Sequence, residues 1–122
     1  MDKITSFTDL VVWQKAHHLA VEVYKITKIF PKEETYSLVD QMKRCSVSIS
    51  SNIAEGFIRR GKKEKLQFYF TAKGSLIELQ NQLLLSKDVG YISKLEFSVL
   101  AEKTVEVHKL LNGFIRSAES RV

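Results

Sequence analysis

Apolar residues recur every three or four positions through most of this chain, which is the spacing of one face of an α-helix. In the first such segment two apolar stripes run side by side from Leu10, and the pattern stops at Pro31 because proline cannot continue a helix. Ser6, with Asp9 three positions later, is typical of a helix start. We predict a first helix over residues 8–30, with an apolar surface wider than one packing partner needs.

The second segment is compatible with a helix and, locally, with a strand. Residues 46–50 alternate polar and apolar side chains, as a strand does, but the chain offers no partner strand. We predict a helix over residues 35–58, with an irregularity near Ser50 and with serines acting as small residues between closely packed helices. The apolar residues at helical spacing are Leu38, Met42, Cys45, Ile49 and Ile53.

Gly61 separates this segment from a third helix, which we predict over residues 63–88. Two apolar stripes lie more than a quarter turn apart on it, so this helix needs more than one partner. Lys73 falls within the apolar arc, which favours a snorkelling or interface lysine. The stripes are Phe68, Ala72, Leu76, Leu79 and Leu83, and beside them Leu66, Phe70, Ile77 and Leu84.

Gly90 is typical of the left-handed residue that ends a helix, and Ser93 with Glu96 forms a capping box for a fourth helix over residues 93–119. Four long helices with short loops can neighbour one another only in antiparallel order. The pattern therefore predicts one domain, residues 1–122, with an all-α, antiparallel, up-down-up-down four-helix bundle.

Composition agrees with this fold class. The 122 residues are 44% hydrophobic and 27% charged, which excludes wholesale disorder, and one proline with five glycines is too few for an all-β chain. The single cysteine cannot form an internal disulfide. Because the chain has no membrane-length apolar run and its first residues lack a signal-peptide pattern, we expect a cytoplasmic protein without a membrane partner.

The positive charge is concentrated in one segment. Residues 59–73 contain six basic residues and one acid, and so carry the whole net charge of +5, while the rest of the chain has 13 basic and 13 acidic residues. Aromatic residues follow the cations at once. A solvated corner and a nucleic-acid contact both fit this pattern. The candidate phosphate-binding residues are Arg59, Arg60, Lys62, Lys63, Lys65 and, more weakly, Lys73.

Catalytic and metal-binding patterns are weak by comparison. No histidine follows a glutamate by three positions, as the di-iron bundles require, so we interpret His17 as a hydrogen-bonded core residue and Cys45 as a small buried one. The serines lack an oxyanion-hole glycine pattern, and no glycine loop could cradle a phosphate. We predict no metal, no cofactor and no enzymatic activity; a nuclease would have to use Asp40, Glu55 or Glu78.

Two polar residues in the second helix leave two interpretations open. Asn52 and Glu55 either both face solvent, or Glu55 pairs with Arg59 one turn later while Asn52 bonds across helices.

Several blocks of the sequence resemble the bacterial four-helix-bundle proteins encoded by intervening sequences within large-subunit ribosomal RNA genes. The blocks are residues 10–16 around Trp13, 30–34, 51–56 with Asn52, Glu55 and Gly56, then Arg60 with 62–64, 74–79 with Glu78, and 90–92. The similarity spans about residues 7–115. The sequence departs from the pattern at Ser50, where the family often has proline, and at Gly61, where it often has a capping serine or threonine.

This resemblance implies a four-helix bundle that assembles as a homopentameric ring, with no established enzyme activity. A relative in architecture, the accessory protein of diversity-generating retroelements, binds nucleic acid and a reverse transcriptase. From residues and resemblance together we expect a homo-oligomeric scaffold that binds RNA or DNA through its cationic segment. The alternative is an adaptor ring that docks a partner protein, such as a nucleic-acid enzyme.

Overall fold

The computed structural model describes residues 3–120, and the chain folds there into four α-helices with no strand. Short 3-10 turns precede and follow the first helix and lie in the loop after it. The all-α fold class predicted from the apolar spacing is confirmed. The helices are α1 (Val11–Ile26), α2 (Leu38–Ile58), α3 (Lys62–Asp88) and α4 (Lys94–Glu119), and the 3-10 turns are Phe7–Asp9, Thr27–Ile29 and Lys32–Glu34.

Each helix packs on the next one in the chain, and α4 closes the bundle against α1. The contacts between α2 and α3 run in opposite directions along the two helices: Ser86 Oγ donates to Met42 Sδ at 3.6 Å near one end, while Gly56 meets Tyr69 near the other. The two helices are therefore antiparallel.

The helix α4 is antiparallel to both of its neighbours. Against α3, Gln80 bonds to Thr104 while Lys87 lies over the ring of Phe97. Between α1 and α4, Lys15 Nζ lies 3.7 Å from Glu106 Oε2, and His18 Nε2 lies 3.0 Å from Lys103 Nζ. Residue numbers rise along α1 while those of the contacting residues fall along α4, so these two helices run in opposite directions. The arrangement is an up-down-up-down bundle, because neighbours in sequence are neighbours in space.

A single core runs along the bundle axis, with side chains from all four helices. In the third helix the inner stripe is buried from Ala72 to Leu83, whereas Phe68 is only half-buried. In the second stripe Leu66 packs against the core, and Phe70, Ile77 and Leu84 stay about half exposed. Thr104 is accommodated in the core because its hydroxyl donates to the Ala101 carbonyl at 2.7 Å and accepts from Gln80 at 3.1 Å. The largest fully buried side chains are Leu19, Met42, Ile49, Ile53, Leu76, Leu79, Leu83 and Leu111.

The serine-rich stretch of α2 is helical without the irregularity expected near Ser50. Ser46 and Ser50 are buried, and each hydroxyl donates to a carbonyl in the preceding turn of the same helix. Ser48 Oγ lies 2.9 Å from Ser75 Oγ on α3. These small side chains satisfy their own polar groups, and they let α2 lie close to α3 without a bulky layer between them.

The helix ends follow the sequence signals, with differences in the first two helices. Gly90 has a φ of +85°, and Ser93 and Glu96 form the predicted capping box. Ser6 and Asp9 also form a capping box, but it caps the 3-10 turn rather than α1 itself. The α-helical part of the first helix is therefore shorter than the predicted 8–30 at its start, and the 3-10 turn Thr27–Ile29 shortens it at its end. The second helix also begins later than the predicted residue 35, at Leu38.

A hydrogen-bonded cluster joins the two loops at the end of the bundle where α4 begins. Tyr91 donates to Glu34 Oε2 at 2.7 Å, and Ser37 donates to Glu34 Oε1 at 2.6 Å. The hydrogen bonds that Ser37 and Tyr91 donate lower the pKa of the Glu34 carboxyl. The same bond to Glu34, followed by burial, raises the pKa of the Tyr91 hydroxyl. The cluster thus favours an ionised Glu34 beside a neutral Tyr91.

Tyr91→Phe is expected to destabilise the protein at neutral pH, with a loss that shrinks towards both extremes of pH. The contribution of ionised Glu34 to the free energy of unfolding is present above the unfolded pKa of the carboxyl and is lost as pH falls below about 4. The contribution of neutral Tyr91 is lost as pH rises above about 10. Urea unfolding of both proteins from acid to alkaline pH measures this difference. A difference that does not vary with pH would contradict the coupling of the two groups.

Candidate nucleic-acid interface

The cationic residues gather where α2 ends and α3 begins. Three residues join the two helices, and Arg59 and Gly61 both have extended backbone, so the chain reverses direction sharply. The next turn belongs to α3 and brings further lysines to the same end of the bundle. We call this surface the basic corner and define it as Arg59, Arg60, Lys62, Lys63 and Lys65.

Three of these cations point into solvent. Arg60, Lys62 and Lys63 are exposed, and none of the ion pairs among residues 3–120 involves them. They also surround the N-terminus of α3, which Gly61 leaves without a side-chain cap and where the helix dipole adds positive potential. The corner therefore presents three uncompensated charges to an anion.

Lys65 has a structural role at the corner. Its ammonium donates to the carbonyls of Gly56 and Phe57, at 3.1 and 2.7 Å, and lies 5.7 Å from the centre of the Phe57 ring. These carbonyls belong to the last turns of α2, where a cation is favourable because it offsets the negative end of the helix dipole. Lys65 thus fastens the end of α2 to the start of α3.

Arg59 lies on an aromatic ring. Its guanidinium carbon is 4.9 Å from the centre of the Phe68 ring, and its Nε is buried without a hydrogen-bond partner. Glu55 is exposed and makes no ion pair with Arg59, so of the two interpretations left open for Glu55 the structure agrees with the one in which it faces solvent. The sequence shows aromatic residues after the cations, but not that Phe68 lies beneath Arg59.

Lys73 lies apart from the basic corner. It is half-buried on α3, about 16 Å along the helix axis from Lys62. Half-burial is what a lysine within the apolar arc of this helix is expected to show, whether it snorkels or lies at an interface.

Gly56 marks a close approach of two helices beside the corner. A Cβ atom at this position would lie 2.6 Å from Tyr69 Cε1 and 3.0 Å from Phe68 Cβ. Tyr69 is buried and packs edge-on against Phe114 at a centroid distance of 5.1 Å, so its ring has little room to move. Glycine is required here by packing.

Several of the other motif residues make their contacts outside the basic corner. Trp13 is half-buried and stacks on His17, with ring centroids 4.7 Å apart. His17 is exposed, and its interpretation as a core residue is wrong because α1 turns this position outward. Asn52 donates to the Ser48 carbonyl at 2.8 Å, so its bond stays within α2 and does not cross helices.

Two of the acidic residues named as candidates for a nuclease site, Asp40 and Glu78, bond to separate partners. Asp40 pairs with Arg44 at 3.0 Å, and Glu78 accepts a bond from Gln82 at 3.2 Å. Residues 3–120 contain no group of three or more His, Cys, Asp or Glu side chains placed to hold a metal ion.

Cys45 is buried, as its spacing predicts. Burial, followed by the charge of Glu78, raises the pKa of its thiol to about 12, and the thiol donates to the Ser75 carbonyl at 2.8 Å. A thiol held protonated in this way is not a nucleophile at neutral pH.

Within the described part of the chain, no helix combines the length and apolarity that a membrane crossing requires.

Comparison with solved structures supports the fold. A crystal structure of a protein of unknown function from the S23 ribosomal protein family of Bacteroides thetaiotaomicron VPI-5482 superimposes with a TM-score of 0.80. The two sequences are 24% identical, and the match covers 86% of this chain and 98% of the Bacteroides chain. A similarity at this identity shows a shared bundle. No protein of curated function matches the sequence.

The family model described as 23S rRNA-intervening sequence protein matches residues 8–113, which is most of the chain and includes the basic corner. The match agrees with the resemblance seen in the blocks around Trp13, Asn52 and Glu78. The chain belongs to the 23S rRNA-intervening sequence protein family.

Proposed function

We propose that this protein is a non-catalytic, homo-oligomeric scaffold that binds RNA or DNA electrostatically through its basic corner, and that it acts in the cytoplasm. The observation that carries the proposal is the exposed, unpaired state of Arg60, Lys62 and Lys63 at one end of the bundle. The segment that contains them carries the whole net charge of the chain.

The phosphate backbone is the anion that suits such a surface. Lysine and arginine that neutralise phosphates release condensed counterions, which gives affinity without sequence preference. Elsewhere on the bundle several cations already have acidic neighbours, as Lys15 has Glu106 and Arg44 has Asp40. A polyanion would therefore be attracted to the corner more than to the sides of the bundle.

Salt dependence tests this proposal directly. The logarithm of the affinity for a labelled hairpin RNA is expected to fall linearly with the logarithm of salt concentration, with a slope of about −3 if three phosphates are neutralised per chain. Fluorescence anisotropy over a range of salt concentrations measures the slope. Weak binding that ignores salt, together with co-purification of a protein partner, would contradict the proposal and support the adaptor ring. The same titration with a DNA hairpin compares the two ligands.

Self-association is proposed through the second apolar faces of α1 and α3. On α3, Phe70, Ile77 and Leu84 are 48%, 50% and 45% exposed, although they recur at a helical spacing that usually faces a partner. On α1, Val21 and Tyr24 are likewise exposed beside the groove between α1 and α2. Two separate apolar faces on one chain suit a head-to-tail contact, which closes into a ring; we propose the homopentamer that the family resemblance implies.

Ile77→Glu is expected to break this assembly and leave the fold intact, because Ile77 is half exposed and lies outside the core cluster of its own chain. Light scattering at micromolar concentration should give five times the chain mass of 14.0 kDa for the native protein and a lower mass for the variant. Leu95→Glu, at a position that is 75% exposed near the start of α4, is the matched control and should keep the native mass. A native protein that is already monomeric would overturn the proposal.

A further inference from the structure

The cations of the basic corner differ in how firmly the structure holds them. Arg60, Lys62 and Lys63 are exposed side chains free to sample many rotamers, whereas Arg59 is half-buried and covers the Phe68 ring. Stacking on an aromatic face fixes the plane of a guanidinium and removes part of its rotamer freedom before any ligand arrives.

The hydrogen bonds of Arg59 are also unusual. Of its three guanidinium nitrogens, Nε is cut off from solvent and has no acceptor. The two terminal nitrogens are not buried in this way, and no ion pair among residues 3–120 involves Arg59. The nearest acid along α2, Glu55, is not paired with it. The ring of Phe68 therefore holds a charged fork whose outer end can still donate two parallel hydrogen bonds.

We propose that Arg59 is a preorganised phosphate-binding fork of this corner and that Phe68 is the residue that positions it; this inference rests on the proposed function. A phosphate accepts two parallel N–H bonds from a guanidinium, and an ammonium cannot reproduce this geometry. The three exposed cations attract the polyanion from a distance, and Arg59 fixes one phosphodiester against the end of α2.

The different roles of Arg59 and the exposed cations can be separated by measuring the affinity and its salt slope in one titration. Arg59→Lys keeps the charge, so the salt slope for a labelled hairpin RNA stays unchanged, but the affinity at any one salt concentration falls about tenfold because the bidentate contact is lost. Arg60→Lys is the matched control: its side chain is exposed and unstacked, so affinity and slope both stay the same.

Phe68 is tested by two replacements. Phe68→Leu removes the aromatic face and is expected to lower the affinity by the same factor as Arg59→Lys with an unchanged slope, whereas Phe68→Tyr keeps the ring and the affinity. In the Arg59→Lys background Phe68→Leu should cost almost nothing more, because the residue acts through Arg59. Circular dichroism and light scattering establish that each variant keeps its helices and its mass.

The outcomes distinguish this inference from the function on which it rests. If native protein binds the RNA with a steep salt slope but Arg59→Lys behaves like Arg60→Lys, the fork is wrong and the electrostatic function stands. If Phe68→Leu lowers affinity equally in both backgrounds, the positioning role is wrong. If the native protein binds no RNA at any salt concentration, the proposed function itself fails.

Discussion

Charge reversal of the three exposed cations, Arg60→Glu, Lys62→Glu and Lys63→Glu together, is expected to lower the affinity for RNA by about 100-fold or more. Each lost phosphate contact removes about one from the magnitude of the salt slope, and together they remove about 3 kcal/mol of favourable interaction before any repulsion is added. Anisotropy titrations at several salt concentrations measure affinity and slope together. Stability should change little, because these side chains are exposed and make no ion pair with any other residue between 3 and 120.

The matched control is a second triple variant, in which three lysines at the opposite end of the bundle are replaced by glutamate. Lys28, Lys32 and Lys94 are exposed near the loops that join α1 to α2 and α3 to α4. Their reversal alters the net charge equally and should reduce the affinity only slightly, through the screened field of the whole molecule. If both triple variants lose affinity to the same extent, binding depends on net charge and the basic corner is not the site.

Gly56→Ala is expected to destabilise the protein by about 1–3 kcal/mol, because the new methyl group would overlap the Tyr69 ring and press on Phe68. Movement of the ring is restricted, since it is 2% exposed and lies against Phe114. Relief requires α2 and α3 to separate at the corner that Lys65 fastens. Urea denaturation followed by circular dichroism measures the loss.

Gly113→Ala is the control for this substitution. Gly113 also lies within a helix, but a Cβ there meets nothing nearer than Arg116 Nη2, at 3.9 Å, an ordinary contact distance. Alanine is the better helix former, so this variant should gain about 0.5–1 kcal/mol. Equal effects of the two variants would mean that helix propensity, and not the contact of α2 with α3, governs position 56.

Gly56 also illustrates a limit of the sequence. Its block resembles the family, but nothing in the linear pattern distinguishes a glycine required by a neighbouring ring from one that is merely tolerated. Gly56 and Gly113 both sit within a helix, and the two differ only in what the adjacent helix brings to the position. That information is long-range, so periodicity and capping rules do not contain it.

The sequence predicts where the basic corner lies, but only partly which of its cations are exposed. A run of cations around Gly61 is visible in the sequence, and the structure keeps Arg60, Lys62 and Lys63 exposed. Lys65 has the same charge and nearly the same position, yet its ammonium bonds to α2 carbonyls. The difference arises because α3 rotates each residue by about 100° relative to the last, and only one of these directions faces α2.

The sequence by itself determined the class of fold, the ends of α3 and α4 and the concentration of charge. Each depends on neighbours within about one turn: apolar spacing, the Ser93–Glu96 box and the run of cations. Tertiary structure alone decided which cations remain free, that Phe68 supports Arg59, that His17 faces outward, and that α3 keeps an apolar stripe uncovered. These features depend on the rotation and distance of helices far apart in the chain. Only the packing of the bundle core sets that rotation and distance.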